Sequence, residues 1–277
     1  MLSRIHPTAL IDPTARIDSS VEVGPYAVIG PEVEIGAGTR VLSHAVIEGP
    51  TVLGRNNVVH PSARIGGPPQ DKKYRDEPTR LVIGDGNTFR ECVTINRGTV
   101  QDAGETRIGD HNWVMAYVHI AHDCRIGSNT ILANTTNLGG HVELGDWVIL
   151  GGCTQVHQFC KVGAHAMTGT GTILLHDVPP YTMVSGNPSA PHGLNTEGLK
   201  RRGFSPETLA VLKRAYRTLY RSDLSLQQAR EALETDCARL AAEEADAEQP
   251  AAPALSASAA LTLLTGFLAR VERGIVR

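Results

Sequence analysis

Aliphatic residues recur at every sixth position through most of the first two thirds of the chain. Ile5, Ile11, Ile17, Val23, Ile29, Ile35, Val41, Ile47, Leu53, Val59 and Ile65 fall in one unbroken register. The series resumes at Ile83, Phe89 and Ile95, and again from Ile108 to Leu174, with Thr168 as its one weak member. A fixed six-residue period is the mark of a parallel β-helix, in which each hexad makes one short strand and one corner and three hexads make one triangular coil. Gly24, Gly30, Gly36 and Gly54 directly follow their aliphatic residue, where a tight corner would favour glycine.

Two stretches break the period. Residues 66–80 (GGPPQDKKYRDEPTR) hold no aliphatic residue and are rich in proline and charge. They read as a loop thrown out of a rigid scaffold, the usual place for functional side chains. A shorter break around Val100 to Thr106 shifts the register.

After Leu174 the texture changes. Residues 176–193 are Pro- and Gly-rich and predict an extended exit loop. Ser205-Pro206-Glu207 is a helix start, with a capping Ser, a Pro in the first turn and an acid near the positive end of the dipole. Leu209, Leu212, Tyr216 and Leu219 continue it as an apolar stripe. A second helix is expected from Ser225, with Gln228 as capping-box partner, to about Ala242. Residues 243–260 read as a poorly ordered linker, and 261–274 as a last short helix. The expected organisation is mainly β: a parallel β-helix domain over 1–191, interrupted by the loop 66–80, and a helical domain over 192–277.

Composition narrows the functional classes. Aromatics are only 4% of residues, which suits a core of stacked Ile, Val and Leu. A net charge of −3 gives no overall signature for nucleic acid. No apolar run is long enough for a membrane span, and the N-terminal residues enter the repeat without a signal-peptide core. The five cysteines form no CxxC pair. A reduced, cytoplasmic protein is the simplest expectation.

The candidate chemistry lies between Val118 and Gly163, which holds His119, His122, His141 and His157. Residues one coil apart stack at about 4.8 Å, so Gly140 falls above His122 and Gln158 above Gly140. The four histidines converge on one edge of the prism. Three readings stand at this point: solvated or hydrogen-bonded side chains; a metal site, with His119-x-x-His122 and a third His from a neighbouring chain, as in zinc enzymes of the γ-carbonic anhydrase type on this fold; or a general base, with Asp123 orienting His122. The last needs a corner between His122 and Asp123, since neighbours on a strand point to opposite faces. No GxSxG elbow and no persuasive Cys-His pair points to a covalent nucleophile.

Several segments resemble one family. HIAHDC (119–124), GGPPQDKKY (66–74), VHQFC (156–160), DVPPY (177–181) and NTEGLKRRGFS (195–205) are similar to the acyl carrier protein–UDP-N-acetylglucosamine O-acyltransferases, which begin lipid A synthesis, and the resemblance covers nearly the whole chain. It implies a left-handed parallel β-helix, a homotrimer with sites between subunits, and transfer of an (R)-3-hydroxyacyl chain to the glucosamine 3-hydroxyl without metal or other cofactor. It implies His122 as general base, Asp123 as its partner and the Gly140 N–H as oxyanion donor. Asp71, Lys73, His119, His141, His157, Gln158, Asn195, Glu197, Arg201 and Arg202 match substrate-binding or supporting positions.

The acyl carrier protein is acidic, and Lys200, Arg201, Arg202, Lys213, Arg214, Arg217 and Arg221 offer a basic dock. The repeat begins at Ile5, which leaves no room for the extra N-terminal domain of the related N-acyltransferases. Two departures stand out. Asn96 takes a position where the family usually has His. Thr170 stands where several relatives have Gly, and with Met167 it is expected to limit acyl length. A vertical rise of about 13 Å from residue 122 to residue 170 would hold a chain of roughly ten carbons.

Overall fold

The computed structural model describes residues 4–245 and 255–277. The hexads form a left-handed parallel β-helix with three flat faces. The first face runs from the strand Leu10–Ile11 to Ile173–Leu174, the second from Arg16–Ile17 to Lys161–Val162, and the third from Glu22–Val23 to Met167–Thr168. Equivalent residues pair in register one coil apart, as Leu10 does with Val28 and His119 with Asn137. The second residue of each short strand points inward. Ile29, Ile47, Ile65, Ile95, Ile120 and Leu138 thus form one fully buried column behind the first face. Thr168, the weak hexad position, is fully buried too, and its hydroxyl meets Gly151 N at 2.9 Å and Thr154 Oγ1 at 2.8 Å.

The corners are built differently from the sequence expectation. Gly24, Gly30, Gly36 and Gly54 do not have left-handed backbones. They are glycines because adjacent coils come too close: a Cβ on Gly24 would sit 2.9 Å from Ser43 N, and one on Gly54 2.6 Å from Gly84 O. The left-handed positions fall two residues later, at Tyr26, Glu32 and Asn56. At the corner between the second and third faces a buried ladder adds a signal that the hexad pattern does not carry. Asn87 N donates to Asn57 Oδ1 (2.9 Å), Asn112 N to Asn87 Oδ1 (2.9 Å) and Thr130 N to Asn112 Oδ1 (2.8 Å).

Both breaks in the repeat leave the prism at the same corner. The first lies between the strands Arg64–Gly67 and Arg80–Ile83, the second between Thr94–Asn96 and Glu105–Ile108, so the second starts earlier than Val100. Each departs from the first face and rejoins the second.

The exit segment is more ordered than expected. Thr182–Ser185 and Ala190–Leu194 form an antiparallel hairpin that extends the third face. Among the described residues four helices follow: α1 (Thr196–Arg201), α2 (Pro206–Tyr220), α3 (Leu226–Ala245) and α4 (Ala257–Leu268). α1 is absent from the sequence reading. α3 runs past Ala242, and α4 begins before residue 261. Residues 246–254 of the expected linker lie outside the described residues. The caps are as read: Ser205 Oγ accepts from Thr208 N (3.1 Å), and Ser225 and Gln228 cap each other at 2.9 and 3.2 Å. Leu199, Leu209, Leu212, Leu219, Leu264 and Phe267 pack with Tyr181 into a second core, and Tyr181 Oη donates to Ala260 O (3.1 Å).

Candidate active site

The corner that throws out both loops also carries the histidine cluster. His122 and Asp123 lie between the strands His119–Ile120 and Arg125–Ile126, so the required corner separates them. Asp123 takes a left-handed φ of 59°. That turn brings its Oδ2 to 2.8 Å from His122 Nδ1. The carboxylate is 2% exposed and fully engaged. Thr99 donates through its N–H to Oδ1 (2.8 Å) and through its hydroxyl to Oδ2 (2.7 Å), while Asp123 N donates to Thr106 Oγ1 (2.8 Å). Burial alone would raise this carboxyl, but the bonds from His122 and Thr99 outweigh it and hold its pKa below the ordinary value. An ionised Asp123 places the proton on His122 Nδ1 and leaves Nε2 as the basic nitrogen.

Gly140 stacks directly on this ring. A Cβ there would lie 2.7 Å from His122 Cε1 and 2.9 Å from Nε2. The Gly140 N–H makes no hydrogen bond among the described residues, while its carbonyl accepts from Phe159 N (3.0 Å). A free N–H beside a basic imidazole can stabilise an oxyanion formed where that imidazole removes a proton.

His122 divides two cavities. One, of about 840 Å³, opens toward the second face and is lined by Asp71, Lys73, Asp102, His141, Gln158 and Phe159 among others. The other is a groove of about 540 Å³ along the first face, which runs from His119 past Gly140 and His157 to an apolar end at Ile173, Leu174 and Leu175. His141 meets the His122 ring edge-on at 5.2 Å and stacks on Phe159 at 4.4 Å. Its Nδ1 is 3.1 Å from Asp102, and its Nε2 3.8 Å from Asp123. His119 Nδ1 bonds Thr94 Oγ1 (2.8 Å), and burial followed by the nearby His122 lowers its pKa. Arg273 reaches His157 Nδ1 (3.3 Å) and Gln158 O (2.9 Å). Asp71 Oδ1 accepts from Lys73 N (2.9 Å) and closes the turn that carries both side chains.

The other expected residues gather elsewhere in the chain. Asn195 is 6% exposed, caps α1 through Gly198 N (3.2 Å) and donates to His165 O (3.1 Å). Arg202 lies over Trp147 at 5.1 Å with Nη1 3.3 Å from His165 Nδ1; Glu197 pairs with Lys200 at 2.9 Å, and Arg201 is exposed. Trp147 and His165 stand at the corner between the second and third faces, one corner away from His122. Met167 lies on the third face and Thr170 at the corner that leads back to the first face. The 48 residues from 122 to 170 are not a whole number of coils, so height alone does not place Thr170 in the groove of its own chain. The repeat spacing gave no access to Asp102, Thr99 or Thr106, because the loops break the count before each of them.

Among the described residues, one His/Cys/Asp/Glu cluster has metal-compatible spacing: His122, Asp123 and His141, with ligand atoms within 4.8 Å. It is not the expected His119-x-x-His122 pair, since His119 faces Thr94. Cys124 and Cys160 are buried, and burial pushes their thiols up to about 12 and about 11. Neither is a nucleophile.

Residues 177–276 match the family described as UDP N-acetylglucosamine O-acyltransferase, domain 2, and residues 105–140 match the bacterial transferase hexapeptide family. A Thiobacillus denitrificans protein named acyl-[acyl-carrier-protein]–UDP-N-acetylglucosamine O-acyltransferase is 56% identical over 276 residues, covering all of both chains. The chain belongs to the UDP-N-acetylglucosamine O-acyltransferase family. A Burkholderia orbicola protein of the same name is 50% identical over the same length. Among solved structures, LpxA from Acinetobacter baumannii superposes with a TM-score of 0.90 at 43% identity, covering 99% of each chain. The Francisella novicida UDP-N-acetylglucosamine acyltransferase does so at 0.90 and 40% identity, covering 99% of this chain and 94% of that one. These full-length acyltransferase relatives leave the carbonic-anhydrase alternative without support.

Proposed function

We propose that the protein transfers an (R)-3-hydroxyacyl chain from acyl carrier protein to the glucosamine 3-hydroxyl of UDP-N-acetylglucosamine, the first step of lipid A biosynthesis, in the cytoplasm. The observation that carries this reading is the half-buried His122 bonded to the buried Asp123 and set against the free Gly140 N–H, in a chain whose full-length relatives bear that activity's name. His122 Nε2 takes the proton of the 3-hydroxyl as its oxygen bonds to the thioester carbonyl carbon. The carbonyl oxygen becomes an oxyanion, and the Gly140 N–H donates to it; such a donor typically contributes about 3 kcal/mol. Collapse breaks the C–S bond, and the leaving thiolate recovers the proton from His122. Asp123 keeps the tautomer throughout. No acyl-enzyme forms.

Asp71, Lys73, His119, His141, His157 and Gln158 surround the sugar in this reading, and the groove ending at Ile173–Leu175 takes the acyl chain. Asn195, Glu197, Arg201 and Arg202 come from a neighbouring copy and hold the UDP, an apt task for arginine forks. A homotrimer is supported by the outward ladder Trp113, Ile131, Ile149 and Met167 on the third face, where Trp113 is 44% and Ile131 39% exposed. In such an assembly a neighbour's Met167 and Thr170 can bound the acyl path. Lys213, Arg214, Arg217 and Arg221 are exposed along and just beyond α2 without an ion pair among the described residues, and suit an acidic carrier.

The test is acyl transfer by the purified protein with UDP-N-acetylglucosamine and carrier proteins loaded with (R)-3-hydroxyacyl chains of about eight to sixteen carbons, a range bracketing the groove length. Product at one preferred length is expected. No product at any length from folded protein would sink the assignment.

A further inference from the structure

We propose that Arg97 is a positioning residue for the loop that carries Asp71 and Lys73, acting through Tyr74. The inference rests on the reading of that loop as sugar-nucleotide-binding. Arg97 follows the strand Thr94–Asn96 and opens the second excursion from the prism. Its Nη1 donates to Gly49 O (2.8 Å) and Gly66 O (2.6 Å), and its Nη2 donates to Tyr74 Oη (3.2 Å). Its backbone N–H donates to Gly67 O (3.0 Å). On either side, Asn96 Nδ2 donates to Pro68 O (2.8 Å) and Gly98 N to Arg80 O (3.2 Å). Three consecutive residues therefore grip both roots of the first excursion and one side chain in its middle.

Tyr74 passes the constraint to the binding residues. Its N–H donates to Asp71 O (3.0 Å), and its hydroxyl donates to Glu77 O (2.9 Å). Residues 71–74 thus form one closed turn, and fixing Tyr74 fixes Asp71 and Lys73 in the cavity they share with His122. Thr99, two residues beyond Arg97, holds Asp123. The segment 96–99 therefore sets the substrate loop and the catalytic carboxylate against each other.

The chemistry calls for arginine. The guanidinium has no carboxylate within ion-pairing distance among the described residues, and its Nε is buried without a partner. What it contributes is a planar, permanently charged fork that reaches two carbonyls and a phenol at once. A lysine ammonium has the charge without that fork.

The experiment is steady-state kinetics with each substrate varied, for Arg97→Lys, Tyr74→Phe, the double variant and Lys73→Ala. Losing one such hydrogen bond corresponds to about a 5- to 10-fold effect. Arg97→Lys and Tyr74→Phe are each expected to raise KM for UDP-N-acetylglucosamine by that factor, with kcat and the KM for acyl carrier protein little changed. Both changes cut the Arg97–Tyr74 bond, so the double variant is expected to lose less than the product of the two single losses, the Glu77 bond being the part that Tyr74→Phe removes on its own. Unchanged sugar-nucleotide KM in Tyr74→Phe, additive losses in the double variant, or kcat and both KM values worsening together with Tm would overturn the proposal. Tyr74→Phe, which removes only a hydroxyl, keeps the test open if Arg97→Lys does not fold. An unchanged KM in Lys73→Ala would instead overturn the substrate role of the loop itself.

Discussion

Asp123 Oδ2 lies 2.8 Å from Nδ1 of His122, the residue immediately before it. The chain turns a corner between them, and the left-handed φ of 59° at Asp123 brings the two side chains to one side. The pair thus sits on a corner of the coil, and Thr99 of the second excursion holds its carboxylate in place.

His122→Ala is expected to lower kcat by roughly 100- to 10,000-fold, the usual contribution of a positioned general base. Asp123→Asn should cost a comparable factor by freeing the wrong tautomer. Circular dichroism and Tm of His122→Ala should match the parent. Near-parental turnover in His122→Ala would remove the base from the mechanism.

Gly140→Ala separates the placement of the His122 ring from folding. The added Cβ would approach the His122 ring to 2.7 Å, so that ring must move. The expected outcome is a loss of kcat of about 100-fold or more, the scale of a displaced general base, with Tm nearly unchanged. A fully active Gly140→Ala enzyme would show that the position of the ring does not matter there.

Thr170→Gly is expected to shift the preferred acyl chain to greater length, read from the product profile across the carrier-protein series. An unchanged profile would release Thr170 from any part in measuring the chain.

His165 gives the stability a pH dependence. Burial, with Arg202 beside it, lowers its pKa to about 4. Between about pH 6.5, where a histidine in the unfolded chain titrates, and about 4, the unfolded chain binds a proton that the folded one does not. Stability from this group is complete above the upper value and falls toward the lower one, by up to about 1.4 kcal/mol per pH unit. Denaturant midpoints measured across that window should show the slope, and His165→Gln should flatten it.

Chelation distinguishes a base from a metal site. Enzyme dialysed against a strong chelator should keep its turnover. Loss of activity restored by zinc alone would reassign His122, Asp123 and His141 as ligands.

The hexad register made the prism legible because each inward aliphatic residue repeats with the coil. Which corner a residue occupies was harder to read. His122 and Gly140 are one whole coil apart, so the period alone stacks them, whereas Thr170 is two thirds of a coil out of phase with them, so the period gives only its height. Asn195 lies beyond the hexads and caps a helix too short to show a periodic stripe, so no period places it. Asp102, Thr99 and Thr106 reach the site from, or just after, an insertion that the period cannot number.

The two excursions meet the prism at one corner, and the coils above and below them remain in step, with Ile65 paired to Ile95 and Ile95 to Ile120. The scaffold therefore counts coils and is indifferent to how much chain is spooled out between them. Segments of other lengths could be exchanged at these two gates while the β-ladders stay aligned, so substrate choice can drift in evolution, or be redesigned, independently of the core.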